Sequence, residues 1–225
     1  MSTPSSNALL PNPIWSSLTT EQARFAVPVG EALRYPAEVA PFFAVLEAGV
    51  PVEAEAVLAD GDAVFVGVHP LVRGPHEVRR GAALQMVYGG DAVVPDAVDE
   101  ESELMMDDAA EMMELIELAY PGYFRAGTAR LGRYVGIRDG GVLVAMAGER
   151  MHATGLREIS GVCTRPGFTG RGYATHLVRR LLRQSPEERS FLHVDLGNER
   201  AIGVYRSLGF EPCGELEILR ISTAG

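Results

Sequence analysis

The sequence predicts an α/β protein, and three observations carry that prediction. From about residue 99 onward, apolar runs of strand length alternate with stretches whose apolar positions recur every three or four residues. A stretch with three glycines and a proline, "RPGFTGRGYATHL" at 165–177, stands where one such run gives way to a helical pattern. Ahead of residue 99 the apolar runs are shorter and broken by turn signals, which reads as an additional N-terminal α/β lobe over 1–98, followed by a second unit over 99–225.

In the N-terminal part, "ARFAVPV", "VAPFFAVLE", "AEAVLADGDAVFVGV" and "AALQMVY" read as short strands with one helix among them, and "ADGDA" as a hairpin turn. His69 and His76 lie beside prolines in a loop-like stretch and suggest no ligand set. The acidic "PDAVDEES" at 95–102 reads as a linker.

Beyond it, "ELMM" is a short strand. "DDAAEMMELIELAY" is a helix whose Asp108 and Glu111 have capping-box spacing and whose stripe is Ala109, Met112, Met113, Ile116 and Ala119. The methionines at 105, 106, 112 and 113 are read as core filling. "RYVGI" and "VLVAMAGERM" form a strand pair joined by "RDGG", and "LREISGVCT" is a longer strand that runs into the glycine-rich stretch. The next helix carries Ala174, Leu177, Val178, Leu181 and Leu182 on one face. "FLHVDLGN" is a strand, "ERAIGVYRSLGF" a helix closed by Gly209, and "GELEILRI" a last strand.

Composition narrows the function. The formal net charge is -10, and residues 91 to 117 hold eleven acids and no base. Such a chain lacks the basic face that phosphate-backbone binding needs, so nucleic acid is not expected as a partner. No window approaches the roughly 18 apolar residues of a membrane span, and the start has no signal-peptide core, so a cytoplasmic location without membrane contact is expected. Cys163 and Cys213 stand apart, with neither metal-ligand nor disulfide spacing, and no metal is expected.

A glycine-rich turn between a strand and a helix turns bare backbone N–H groups outward at the positive end of the helix dipole, where a phosphate or pyrophosphate can sit. A turn that binds nothing is the alternative. A P-loop needs Gly-Lys-Ser/Thr, and the chain has no lysine. A dinucleotide fingerprint lacks its third glycine here, and about 30 residues remain after Asp195, too few for further parallel units.

Residues 169 to 174, "TGRGYA", resemble the pyrophosphate loop of the GNAT superfamily of N-acetyltransferases, Gln/Arg-x-x-Gly-x-Gly/Ala, at Gly172 and Ala174, with Thr169 in place of the usual Gln or Arg. "NERAIGVYRSLGF" is similar to a second motif of that family: an asparagine at a strand end, then a helix with a tyrosine and a closing Leu-Gly-Phe. The order of elements from residue 99 also matches its mixed sheet. The resemblance implies a GNAT fold with the N-terminal lobe added, that lobe being either a degenerate copy of part of the fold or a lid. It implies acetyl-CoA as co-substrate and direct transfer to a primary amine, on a small molecule or a peptide N-terminus. A non-catalytic acyl-CoA-binding or partner-binding protein of the same fold is the rival reading. Oligomeric state is left open.

The same resemblance assigns roles. Thr169, Gly170, Arg171, Gly172, Tyr173, Ala174 and Thr175 would hold the phosphates, and Asn198 the pantetheine or pyrophosphate region. Backbone at Val162, Cys163 and Thr164 would pair with pantetheine, with an N–H near Val162 and Cys163 meeting the oxyanion. Tyr205 would protonate the departing thiolate, a transfer not far uphill given reference values of about 10 for a phenol and 8.5 for a thiol. Glu158 would be the general base, or else a strand residue facing solvent while water carries the proton. Arg200 or Arg206 would reach the adenosine phosphate. The acids Glu111, Glu114 and Glu117 would attract a cationic amine, or serve only as a solvated helix face.

Overall fold

The computed structural model describes residues 9–90, 101–119 and 121–224. The chain begins with helix α1 (Pro13–Thr19), strands β1 (Val27–Val29), β2 (Ala32–Arg34), β3 (Phe43–Val45) and β4 (Pro51–Glu53), helix α2 (Ala54–Val57), and strands β5 (Ala63–Val66), β6 (Leu71–Arg73) and β7 (Glu77–Tyr88). It continues with β8 (Glu101–Leu104), helix α3 (Ala109–Glu117), β9 (Tyr134–Asp139), β10 (Val142–Ala153) and β11 (Leu156–Thr164). The last elements are helix α4 (Tyr173–Gln184), β12 (Arg189–Asp195), helix α5 (Glu199–Ser207) and β13 (Phe210–Ser222). No helix among the described residues is long and apolar enough to cross a membrane.

An eight-stranded mixed sheet runs in the order β5-β13-β7-β12-β11-β10-β9-β8. It draws β5 and β7 from ahead of the boundary expected at residue 98, which itself lies outside the described residues. β7 is antiparallel to both β12 and β13, and β11 and β12 form a parallel pair. β1, β2 and β3 make a small separate sheet, and β4 pairs with β6.

Each face of the large sheet is covered by a different part of the chain. On one face Leu177, Val178, Leu181 and Leu182 of α4 and Ile202 of α5 pack on Val144, Ile159, Leu192 and Met86. On the other, α1 with Tyr35, Phe42 and Phe25 covers Met151 and Phe191. α3 covers the far end of that sheet through Leu104, Met146 and Cys163.

Several local expectations change. "ADGDA" is no hairpin: it follows the single turn of α2 and leads into β5, whose partner is β13. Of the four methionines only Met112 is buried; Met105 is 65% exposed, Met106 45% and Met113 37%. The reason is geometric. α3 starts at Ala109, so 105 and 106 precede it, and consecutive residues 112 and 113 point about 100° apart, leaving Leu115 to complete the buried face. The linker at 95–102 falls mainly outside the described residues, as does Tyr120 of the aromatic turn "YPGYF".

Candidate functional site

The site begins with a defect in β11. Without interruption, the two-residue period would put Ile159 and Cys163 on the same face. Against β10 the register runs Met146↔Cys163 and then Gly148↔Ser160, so β11 carries one extra residue at Gly161 and Val162. The bulge moves Val162 to the side of Ile159, in the cluster under α4, and sends Cys163 to the α3 side.

The second feature is a divergence. β11 pairs with β12 only from Leu156↔Arg189 to Glu158↔Phe191, whereas it pairs with β10 as far as Thr164. β12 goes on through Asp195, paired with β7 on its other side. A wedge therefore opens between two parallel strands, and the upper edge of β11 has backbone groups without a strand partner on that side.

α4 closes the wedge. Its N-cap is Gly172, with no side-chain cap, and the first helical bond runs from His176 N–H to the Gly172 carbonyl. The preceding N–H groups of this first turn lack intrahelical acceptors. Gly170 and Gly172 have φ of 83° and 82°, in the left-handed region, and beyond the adjacent residues no atom lies within 4 Å of where a Cβ would stand on either. Both facts describe a cradle of bare backbone with open space above it, which fits a phosphate-bearing ligand.

Cradle and wedge share a cavity of about 440 Å³. Val162, Cys163 and Thr164 line it from β11; Thr169, Gly170, Gly172, Tyr173, Ala174 and Thr175 from the loop and α4; Asn198 and Tyr205 from α5. Arg200 lines it too. Sequence reasoning missed Phe168, Ala119, Ala201 and Val204 as wall residues, although Ala201, Val204 and Tyr205 fall on one helical face by spacing alone. Asn198 caps α5, its Oδ1 accepting from Ala201 N–H at 3.1 Å. Tyr205 meets the ring of Phe210 edge-on at 5.9 Å.

Three of the predicted residues, Arg171, Glu158 and Arg206, are not among the cavity walls. The Arg171 guanidinium lies 4.6 Å above the Phe168 ring and 3.7 Å from Asp139. Glu158 is buried on the opposite face, where Arg150 donates to both its oxygens at 2.8 and 2.5 Å and His193 Nδ1 lies 2.8 Å from Oε1. The expectation of a solvent-facing side chain is thus replaced by an ion pair. Burial pushes the Glu158 carboxyl up, but the Arg150 guanidinium and the hydrogen bonds from Arg150 and His193 outweigh it and leave the pKa lowered to about 2. Burial drives the Cys163 thiol up to about 12, which removes it as a nucleophile at neutral pH.

The acidic strip is also partly committed. Glu111 and Asp108 pair with Arg138, Glu114 with Arg165 at 2.9 Å, and Glu117 accepts from Gly122 N–H at 3.2 Å.

A bulged strand splayed from its parallel neighbour, with an uncapped glycine turn heading the adjacent helix and both bordering one cavity, marks out an α/β fold with an open strand edge beside a helix start. The chain belongs to the acetyltransferase (GNAT) family, whose pattern residues 98–210 match. A GNAT-family structure from Novosphingobium aromaticivorans is 30% identical, with TM-score 0.79, covering 96% of this chain and 99% of that one. The GCN5-related N-acetyltransferase from Kribbella flavida shares the fold at 21% identity, with TM-score 0.56 over 94% of this chain and 92% of its own. N-alpha-acetyltransferase RimI of Mycobacterium tuberculosis is 37% identical over 84 residues, 36% of this chain. The chain spans about half of that relative, 53% of its length.

Proposed function

We propose that the protein transfers the acetyl group of acetyl-CoA to a primary amine by direct attack. The observation that carries this reading is that the unpaired edge of β11, the uncapped start of α4 and Tyr205 of α5 border one cavity. The cradle takes the pyrophosphate, and backbone at Val162–Thr164 pairs with pantetheine as an added strand would. That pairing brings the thioester to the wedge. The amine nitrogen attacks the carbonyl carbon, a backbone N–H near Val162 and Cys163 meets the oxyanion, and the C–S bond breaks. Tyr205 gives the thiolate its proton, and the amine's proton passes to water. Glu158 takes no part in this proton transfer, because its oxygens are occupied by Arg150 and His193 and it lies outside the cavity walls.

A peptide N-terminus is the acceptor that the likeness to an N-alpha-acetyltransferase supports. The test is release of free CoA from acetyl-CoA over a panel of amines, amino acids and peptides with free N-termini. Turnover with a peptide N-terminus is expected. Binding of acetyl-CoA without release for any acceptor would replace the enzyme reading with that of an acyl-CoA-binding protein.

A further inference from the structure

On the face of the sheet away from α4, a chain of side-chain hydrogen bonds crosses four strands. Arg150 of β10 holds Glu158 of β11; Glu158 Oε1 lies 2.8 Å from His193 Nδ1 of β12; His193 Nε2 lies 3.0 Å from Gln85 Nε2 of β7. The chain ends on the N-terminal segment, where Leu10 N–H donates to Gln85 Oε1 at 3.0 Å and Gln85 Nε2 donates to the Leu10 carbonyl at 3.2 Å. These two backbone contacts fix which end of the Gln85 amide is which, since a flipped amide would face donor to donor and acceptor to acceptor.

The histidine tautomer follows. Gln85 Nε2 can only donate, so His193 Nε2 accepts, and the ring proton sits on Nδ1, donated to Glu158. Glu158 in turn is held by two hydrogen bonds from Arg150. Glu158 and Phe191 are the last paired positions before β11 and β12 separate, and His193 is two residues further along. The Glu158–His193 contact therefore spans the wedge at its apex, while the cavity residues Val162–Thr164 lie just above it on the same strand.

We propose that Glu158 and His193 form a clasp across β11 and β12, seated by Arg150 and Gln85, that sets how far the strands spread and so positions the wedge for its ligand. They act as positioning residues, through the backbone of β11, and touch nothing in the cavity. The docked N-terminal segment, tied through Gln85, is part of the clasp. The consequence for acetyl-CoA rests on the function proposed above; the bridging of the strands and the tautomer do not.

Full-length protein labelled with ¹⁵N tests it. In the wild type, the His193 ring is expected to carry its proton on Nδ1 and a bare Nε2 at neutral pH, a signature that needs no variant to fold. His193→Phe removes the donor to Glu158, and the backbone amide resonances of Val162–Thr164 are expected to shift without ligand. Acetyl-CoA affinity of this variant should fall about tenfold, the scale of one hydrogen bond to the ligand lost when the β11 edge is displaced. His193→Asn, whose Nδ2–H can take the place of Nδ1–H, should restore affinity to within about twofold. An Nε2–H tautomer, unmoved amides in His193→Phe, unchanged acetyl-CoA affinity in that variant, or His193→Asn as weak as His193→Phe would each overturn the clasp. If the wild type takes up no acetyl-CoA, the proposed function fails by itself, and the clasp is decided by the tautomer and the amide shifts.

Discussion

The two halves of β11 meet different surroundings. From Leu156 to Glu158 the strand is paired on both sides, and its charged side chains are buried in ion pairs: Arg157 with Glu149, Glu158 with Arg150. From Val162 to Thr164 it is paired on one side only, and its other edge looks into the cavity. The lower half spends its polar groups on the fold, and the upper half keeps backbone groups for something else. One strand can thus serve the fold with one half and border the cavity with the other, provided a bulge and a divergence separate the two. Substitutions below residue 159 should act first on stability and reach the ligand only through the clasp, whereas changes around the cavity should act on ligand and turnover directly.

The largest effect falls on the anchored half. Glu158→Gln leaves the Arg150 guanidinium without its counter-charge, and urea melts at pH 7 should show a loss of about 3 kcal/mol, the scale for breaking a buried pair from one side. The sign of the pH dependence follows from a carboxyl lowered from 4.5 to about 2: its contribution is whole above about 4.5 and is lost as pH falls from there towards about 2. The gap between wild type and Glu158→Gln should therefore narrow across that window. A gap that stays constant down to pH 2 would mean the ion pair does not hold this half of the strand.

On the cavity side, Tyr205→Phe should lower kcat on the order of 10²-fold while leaving acetyl-CoA affinity close to wild type, as loss of a proton donor at the departing thiolate does. Equal losses in kcat and affinity would show that the ring packs the wall and donates nothing. A smaller effect is expected at the cradle. Since Gly172 has positive φ, a β-branched replacement would test backbone strain together with ligand approach. Asparagine tolerates that conformation, so Gly172→Asn should keep the melting temperature near wild type and weaken acetyl-CoA binding roughly tenfold, about the worth of one hydrogen bond to a charged group. Wild-type affinity in that variant would remove phosphates from the cradle.

The smallest effect concerns the acidic strip. Glu111 and Glu114 are each paired to an arginine, which reduces what these two carboxylates can offer a cationic acceptor. Raising salt from low to physiological strength should lower kcat/KM for such an acceptor by only about twofold, and Glu114→Gln with Glu117→Gln should flatten even that. A steep salt dependence that persists in the double variant would place the steering charge elsewhere.

Much of the upper half was legible because it is local. The glycines, the helix behind them and the α5 face with Tyr205 are all contiguous in sequence, and turn chemistry and periodicity report such features directly. Arg171 shows the limit of that reading: it belongs to the motif by position, yet its guanidinium turns to Phe168 and Asp139. The lower half was illegible for the opposite reason. Arg150, Glu158, His193 and Gln85 come from four strands, and nothing around any of them announces the others.

The sequence by itself determined the alternation of strands and helices after residue 99, the glycine turn at the start of α4 and the two motifs that point to the family, since each depends on residues within a few positions of one another. Tertiary structure alone decided that β7 enters the sheet between β12 and β13, that β11 leaves β12 after Glu158, and that Glu158 faces Arg150 and His193 instead of solvent or a substrate. Strand order and register are settled by pairing between residues as far apart as Gln85 and His193, a separation over which no local propensity carries information.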